Sequence, residues 1–408
     1  MSSLASLKFS TKRLLFLFLV GLVARLGMDI ANSWYLFTFN NEPQKVAEQL
    51  LSGNGFSNPF LLPTGPTAHL APGFPALLAV IYAIFGNGIA GSLAADTVNA
   101  AIGAAVASLL PVAVLLCGAG PIAALFAGLF YAMLPPQPYT ESKGGWEAVI
   151  GALLLVSAFN AVQQQIASSR LDMRKAAWIG FLLGLAGLFL PTLCPVIAGF
   201  VLVLSLYKRE RIAQFGLVVF LIAFTLLGPW LVRNRMVFGQ WVPIRDNFGI
   251  ELHVSYWDKA APTLTENIHL GNHAEVHPHV NRVEALKVRE YGEAEYNRRQ
   301  FELARAWIQR HPRRFVQLTL KHFQLFWTSG IRFILLIPFA LVGMARLWTT
   351  AKPPFLLLSV AFILQPLIYY FVQFEPRYRH PIEWAVTLAA VIGAFAIYQR
   401  ARDLLLGP

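Results

Sequence analysis

The chain has 408 residues, of which 56% are hydrophobic and only 13% carry a charge. Soluble globular proteins carry about 25% charged residues, so this composition excludes a disordered chain, a disulfide scaffold and an ordinary cytosolic enzyme, and indicates a polytopic membrane protein. The 33 Lys and Arg residues exceed the 21 Asp and Glu residues, which gives a net charge of +12. In a membrane protein such an excess can set the topology, attract lipid or bind an anionic ligand.

The apolar segments and the basic clusters between them predict the topology. The segments lie at roughly 14–31, 73–86, 91–116, 119–135, 145–162, 176–191, 193–207, 212–232, 331–347, 355–374 and 381–398. Positive charge before the first segment predicts a cytoplasmic N-terminus, and the short basic loops should lie on the same side. They do so only if segment 73–86, at ~21 Å too short for a ~30 Å hydrocarbon core, does not span. We therefore predict an all-α membrane protein with about ten spans, or eleven as the alternative.

Two long polar stretches, 32–72 and 233–330, then fall on the outer side of the membrane. They divide the chain into three predicted units. These are an N-terminal transmembrane catalytic module over 1–232 that includes the first external loop, an external helical subdomain over 233–330, and C-terminal transmembrane helices over 331–408.

The first external loop begins with a segment of helical periodicity. Its apolar residues Val46, Ala47, Leu50 and Leu51 share one face, which predicts a short surface helix over Glu42–Leu51. The following residues, 53–75, are rich in Pro and Gly and cannot form regular helix or sheet. Such a stiff loop is expected where backbone must be held in place beside a site.

The second external loop is basic, and at this length the positive-inside rule does not explain its charge. Helix-forming residues over Val283–Ile308 predict a small helical subdomain, which Phe315–Trp327 extends along the membrane interface. A third outer segment, FEPRYRHPIEW at 374–384, places three basic side chains between two spans. Because charge at a membrane edge loses solvation, an anion is expected there, either a lipid headgroup or a substrate phosphate.

Motifs of soluble enzymes are not found. The sequence contains no GxSxG, HExxH, Walker A or GxGxxG motif after a strand. The histidines of HAEVHPH at 273–279 have a spacing that matches no closed zinc site, and a polar loop is the alternative interpretation.

A series of short motifs does resemble a known family. In chain order they are Glu42 four residues before Val46-Ala47, GNGFSNPF at 53–60, TGPTA at 64–68, APGFP at 71–75, PWLVRN at 229–234, FGQWVPIRDNFGIEL at 238–252, YGEAEY at 291–296 and RYRHP at 377–381. Together they resemble the membrane-embedded glycosyltransferases of the GT-C superfamily. The similar branch is that of the dolichyl-phosphate-mannose protein mannosyltransferases and the bacterial aminoarabinose transferase.

The resemblance implies a GT-C-like bundle and an inverting transfer of a sugar from a polyprenyl-phosphate donor. The acceptor, a glycan, lipid or protein, would lie on the outer face of a bacterial inner membrane. The partners expected are therefore the lipid-linked donor, the acceptor and membrane lipids, with no nucleic acid. The resemblance leaves open whether a divalent metal takes part.

Such a transfer needs a base for the acceptor hydroxyl. Glu42 is the first candidate, because it follows the first span and begins the surface helix. The alternative is a Glu that only stabilises the helix N-terminus, and Asp29 is a rival base. Glu147 could orient the acceptor or the sugar as a second carboxylate, or it could simply start a helix.

The departing phosphate needs positive groups, and Arg suits phosphate through its fork of donors. The candidates at predicted outer boundaries are Arg233, Arg245, Lys321, His322, Arg377, Arg379 and His380. Arg233 and the RYRH segment rank first, and contact with lipid headgroups is the alternative for each. His69 could touch sugar or phosphate, or serve loop packing.

A transporter or flippase of a lipid-linked sugar is the competing function. It would share the spans and the outer basic groups, but transporters usually show internal repeats and charges within their spans. No repeat is found, and the polar residues concentrate in the two outer loops, which favours chemistry at the outer face.

Overall fold

The computed structural model describes residues 10–32, 41–133 and 146–406. Within these ranges the regular elements are helices, and the β-structure consists of two isolated bridges, Ser57 with Pro66 and Thr263 with Phe374. The predicted all-α membrane class is confirmed. Parts of the predicted outer loops, at 33–40 and 134–145, lie outside the described residues.

The first half of the chain forms nine helices within the described ranges. They are α1 (Thr11–Ala31), α2 (Glu42–Leu51), α3 (Gly73–Phe85), α4 (Ile89–Leu116), α5 (Pro121–Met133), α6 (Trp146–Ala167), α7 (Met173–Phe189), α8 (Cys194–Tyr207) and α9 (Ile212–Phe238). Helix α2 has the predicted bounds, and α3 is as short as its sequence indicates.

The second half adds nine more helices within the described ranges. They are α10 (Phe248–Ser255), α11 (Leu264–His269), α12 (Asn272–Val276), α13 (Arg282–Tyr291), α14 (Glu293–Arg310), α15 (Pro312–Thr328), α16 (Ile331–Thr350), α17 (Lys352–Leu367) and α18 (Glu383–Leu406). Short 3₁₀ turns at Ile368–Phe371, Pro376–Tyr378 and His380–Ile382 join α17 to α18.

Seven helical stretches in the described part of the chain are long and apolar enough to cross a membrane. They correspond to α1, α4, α6, α9, α16, α17 with its following turn, and α18 with its preceding turns. Helices α3 and α5 and the stretch Pro191–Tyr207 are apolar but shorter. The protein is therefore an integral membrane protein, and length alone does not fix how many of the shorter helices cross.

Small residues let the long helices approach closely. A Cβ atom on Gly343 of α16 would collide with the backbone of Ala389 in α18, and one on Gly21 of α1 would lie 3.2 Å from the Cα atom of Ala104 in α4. Small residues at such contacts are typical of helix packing in lipid, where van der Waals contact replaces the hydrophobic effect.

The predicted helical region Val283–Ile308 lies within two helices, α13 and α14. Gly292 lies between α13 and α14 with φ of +79°, a conformation that glycine adopts without steric cost. The turn lets Val288 and Tyr296 pack with Phe60 of the first loop in one apolar cluster. The second external region thus packs against the first external loop through this cluster.

Candidate active site

A cavity of about 280 Å³ lies where the first loop, the second external region and the α17–α18 connection meet. Five of the predicted site residues line it, namely Glu42, His69, Glu147, Arg245 and Arg377. The other polar or aromatic side chains of its wall are Thr192, Asn247, Phe248, Glu251, Tyr369 and Tyr378. Residues far apart in sequence thus form a single polar and aromatic chamber.

Glu42 occupies the first turn of α2 and points its carboxylate at two histidines. Its Oε1 lies 3.3 Å from Nε2 of His69 and 3.9 Å from Nε2 of His277. Burial by itself raises the pKa of Glu42, but the charge of His69 and its hydrogen bond outweigh burial and hold the pKa well below its ordinary value. Glu42 is therefore ionised, as a general base must be before it takes a proton.

The two histidines differ in charge. Burial lowers the pKa of His69, but the neighbouring Glu42 carboxylate outweighs burial and leaves that pKa raised. Burial and the nearby His273 lower the pKa of His277 well below its ordinary value. The raised pKa of His69 favours its charged form beside the Glu42 carboxylate, and the lowered pKa of His277 favours its neutral form.

Glu42, His69 and His277 are also the described residues that could hold a metal ion, since their ligand atoms lie within 4.8 Å of one another. One carboxylate and two imidazoles suit Zn²⁺. In this arrangement, however, Nδ1 of His277 accepts the backbone N–H of His279 at 3.1 Å, which leaves the ring proton on Nε2. Nε2 of His277 then carries a proton on the side that faces Glu42, 3.9 Å away, and has no lone pair free for a metal.

The turn Thr67–His69 is held by residues of the second external region. Arg233 Nη1 donates to the carbonyl of Thr67 at 2.7 Å. The backbone N–H of Asp246 donates to the carbonyl of Ala68 at 2.8 Å, and Arg245 Nε donates to the carbonyl of His69 at 3.1 Å. Satisfying three successive carbonyls fixes the backbone that carries the imidazole.

Glu293, at the start of α14, completes this attachment. Its Oε1 accepts the backbone N–H of Ala68 at 2.6 Å, and its Oε2 is hydrogen-bonded to the hydroxyl of Thr67. That hydroxyl in turn accepts the N–H of His69 at 3.0 Å. Burial raises the pKa of Glu293 to about 7. The carboxyl group thus links the external helices to the turn beside Glu42.

Replacing Glu293 with Ala is expected to lower the free energy of unfolding by about 2–5 kcal/mol, because two buried partners lose their hydrogen bonds. Thermal unfolding of the purified protein in detergent measures this effect. Glu295 lies two residues further along the same helix. Its replacement by Ala removes only exposed ion pairs to Arg298 and Arg299 and should shift the midpoint of thermal unfolding little. Equal shifts in the two variants would contradict the linking role of Glu293.

The cationic side of the cavity is formed by Arg245 and Arg377. Arg245 Nη1 lies 3.4 Å from Oε1 of Glu147, at the N-terminus of α6. The ring of Tyr378 stacks on Tyr369 with centroids 4.4 Å apart, and the Arg377 guanidinium lies 5.4 Å from the Tyr378 ring centroid. Two guanidinium groups, a carboxylate and an aromatic pair therefore share the chamber with Glu42.

The other predicted phosphate ligands do not line the cavity. Arg379 is fully buried, where it donates to the carbonyls of Phe326 and Ser329 and lies 3.7 Å from Glu383. His380 lies 3.2 Å from the same carboxylate. Arg379 thus holds the α15–α16 junction against α18, and His380 lies beside the first residue of α18, so their position at a predicted boundary reflects packing.

Three further candidates also lie elsewhere. Lys321 is exposed on α15, and the buried His322 contacts the carbonyl of Tyr370 through Nδ1 at 3.2 Å. Arg233 braces the first loop through its backbone bonds and lies over the Trp230 ring at 4.8 Å. The rival base Asp29 is buried in α1 and is not part of the cavity wall.

Sequence reasoning did not assign four residues that the structure places in or beside the site. Glu251 and Glu293 lie inside the quoted motifs FGQWVPIRDNFGIEL and YGEAEY, so the motifs contained the signal. His277 belongs to the HAEVHPH run, which spacing alone could not connect with Glu42. Tyr369 lies within the predicted apolar segment 355–374, where no neighbouring motif indicates a site.

Solved structures with the same architecture show what the fold is. An oligosaccharyltransferase of Archaeoglobus fulgidus, in a complex with Zn and sulfate, matches with a TM-score of 0.59 at 15% identity over 96% of this chain and 49% of its own. Its apo form matches with a TM-score of 0.60 at 14% identity, over 99% of this chain and 53% of its own. The archaeal oligosaccharyltransferase AglB from the same organism, with an inhibitory peptide and a dolichol-phosphate, matches with a TM-score of 0.57 at 16% identity over 97% and 52%.

The chain has the fold of these oligosaccharyltransferases. The expected GT-C-like architecture is thereby confirmed, and the chain spans about half the length of the solved structures it matches. No protein-family model and no curated protein matches the sequence.

Proposed function

We propose that this protein is a membrane glycosyltransferase that moves a sugar from a polyprenyl-phosphate donor to an acceptor hydroxyl. The observation that carries the proposal is the shared cavity. The ionised Glu42 and the guanidinium groups of Arg245 and Arg377 all line it. A base and an anion-binding pair in one chamber are the two requirements of such a transfer.

In the proposed reaction Glu42 takes the proton of the acceptor hydroxyl as its oxygen attacks the anomeric carbon. Attack from the face opposite the phosphate inverts that carbon. The His69 ring, with Nε2 3.3 Å from Oε1, holds the carboxylate in place before the transfer, and His277 lies 3.9 Å from the same oxygen. The proton ends on Glu42 and then leaves to solvent.

The bond between the anomeric carbon and the phosphate oxygen breaks in the same step, and its electron pair stays on the polyprenyl phosphate. Arg377 and Arg245 stabilise that charge as it develops. Glu147 keeps Arg245 oriented through their 3.4 Å contact. The aromatic pair Tyr369–Tyr378 offers an apolar wall against which a sugar ring can pack.

The solved neighbours support this proposal in general terms, because they are oligosaccharyltransferases and one of them binds a dolichol-phosphate. The placement that follows from the basic loops has the cavity on the outer face of a bacterial inner membrane and the N-terminus in the cytoplasm. The acceptor would then be a glycan, lipid or protein of the cell envelope.

Transfer from a panel of radiolabelled polyprenyl-phosphate monosaccharides tests the proposal. Purified protein in proteoliposomes is given each donor together with bacterial membrane extract, and label is followed into the lipid, glycan and protein fractions. At least one donor should label one fraction with wild-type protein and not with Glu42→Gln. Donors that cross the bilayer without any transfer would instead support a transporter and overturn the proposal.

A further inference from the structure

Helix α15 presents three faces, and one of them is buried against the protein. Leu318, His322 and Phe326 are buried at a spacing of four residues. At 100° per residue they form a single stripe along the helix. This stripe contacts the turn Ile368–Phe371, where Trp327 also donates to the hydroxyl of Tyr370 at 2.8 Å. The other two faces are exposed over most of their length, and on one of them Phe323 meets the Tyr370 ring with centroids 5.0 Å apart.

The second face is apolar and exposed. Val316, Leu320 and Phe323 are 51%, 62% and 49% exposed. Their spacing of four and three residues places them within about 60° of one another on the helix surface. An apolar stripe of this kind in water is unfavourable, because apolar surface gains free energy when it is removed from water. Something therefore covers it in the native environment.

The third face is polar and basic. Arg313, Arg314 and Lys321 are exposed there, together with Gln317 and Gln324. In the described part of α15 no acidic residue accompanies them. A basic stripe directly beside an apolar one is the pattern of helices that lie in the plane of a membrane surface, with the cations at the headgroups.

The course of the chain places α15 at a membrane surface. Only Ser329 and Gly330 separate its last residue from α16, one of the helices long and apolar enough to cross a bilayer. The C-terminal end of α15 is therefore within two residues of the span, and the apolar stripe leads up to it. Lipid is the occupant that both the chain path and the adjacent charge favour.

We propose that α15 is a lipid-contact helix, with Val316, Leu320 and Phe323 among the acyl chains of the leaflet at that end of α16. Arg313, Arg314 and Lys321 bind anionic headgroups of the same leaflet. The helix packs on the turn that includes Tyr369, a residue of the cavity wall. The same turn therefore contacts α15 through Tyr370 and lines the proposed active site through Tyr369.

Fluorescence quenching by brominated lipids tests the lipid contact without any sugar donor, so its outcome is independent of the proposed transferase activity. Single-cysteine proteins are made in a background in which Cys117 and Cys194 are replaced by Ala. Leu320→Cys and, as a matched control on the polar face, Gln317→Cys are labelled with bimane. Both are reconstituted in vesicles of phosphatidylcholine and phosphatidylglycerol.

Bromine on the acyl chains should quench bimane at position 320 several-fold more strongly than at position 317. Phe323→Cys is a second reporter of the same face in case the first variant fails to fold. Equal quenching at the apolar and polar positions would overturn the proposal. Disulfide cross-linking of Leu320→Cys between two copies would overturn it as well, because the stripe would then be a protein interface.

The headgroup part is tested with the bromine on only one lipid at a time. Brominated phosphatidylglycerol should quench position 320 more strongly than an equal fraction of brominated phosphatidylcholine. Combining Arg313→Gln, Arg314→Gln and Lys321→Gln should abolish that preference. A preference that survives the triple replacement would reject the role of these three cations.

Discussion

Replacing Glu42 with Gln is expected to reduce the rate of sugar transfer by about 10²–10⁴-fold, the contribution usual for a positioned general base. Gln keeps the size of the side chain and can still hydrogen-bond to His69, but it cannot accept the proton of an acceptor hydroxyl. The effect should therefore appear in kcat, with a small change in the KM of the donor.

Glu48→Gln is the matched control for this experiment. Glu48 lies on the same short helix, where its carboxylate accepts a hydrogen bond from Asn87 at 3.1 Å and does not line the cavity. Its replacement should leave transfer within about twofold of wild type, as is usual for surface changes. A Glu42→Gln protein as active as the control would reject Glu42 as the base.

Replacing Arg377 with Gln is expected to lower kcat by about 10²–10³-fold, the cost usual for losing one charged donor at a developing anion. Arg377 lines the cavity, and its guanidinium lies against Tyr378, which keeps the charge beside the site. Steady-state transfer kinetics with the best donor of the panel measure the loss.

A Lys at this position separates charge from geometry. Arg377→Lys restores the positive charge but not the planar fork, so it should recover part of the lost rate. Arg346→Gln, an exposed change on α16, serves as the control and should have no effect. Normal kcat in Arg377→Gln, with a folded protein by size-exclusion chromatography, would contradict phosphate stabilisation by this residue.

Much of the helical architecture was predictable from the sequence, because it depends on local patterns. Apolar length predicted the long helices, and one-sided periodicity predicted α2 over Glu42–Leu51. The break at Gly292 was harder to predict, since both flanking segments are good helix formers and only the packing of Val288 and Tyr296 requires the turn. Where tertiary contacts choose between one helix and two, periodicity alone is insufficient.

The site was only partly predictable. Glu42, His69, Glu147, Arg245 and Arg377 were selected by residue type and by position at a membrane boundary, and they line one cavity. The same criteria also selected Arg379 and His380, which pair with Glu383 in the packed α15–α18 junction. Boundary position does not distinguish an arginine that faces a cavity from one that packs inside the protein, because both lie next to the end of a span in the sequence.

Composition and patterning by themselves determined that this chain is an all-α membrane protein whose polar chemistry is concentrated outside the spans. They could do so because burial in lipid imposes its requirements on each segment separately. The tertiary structure decided which charges meet, bringing His277 to Glu42 and Glu293 to the turn of Thr67. Such pairings join residues more than 200 positions apart, and their energies depend on distance in space, which no local pattern encodes.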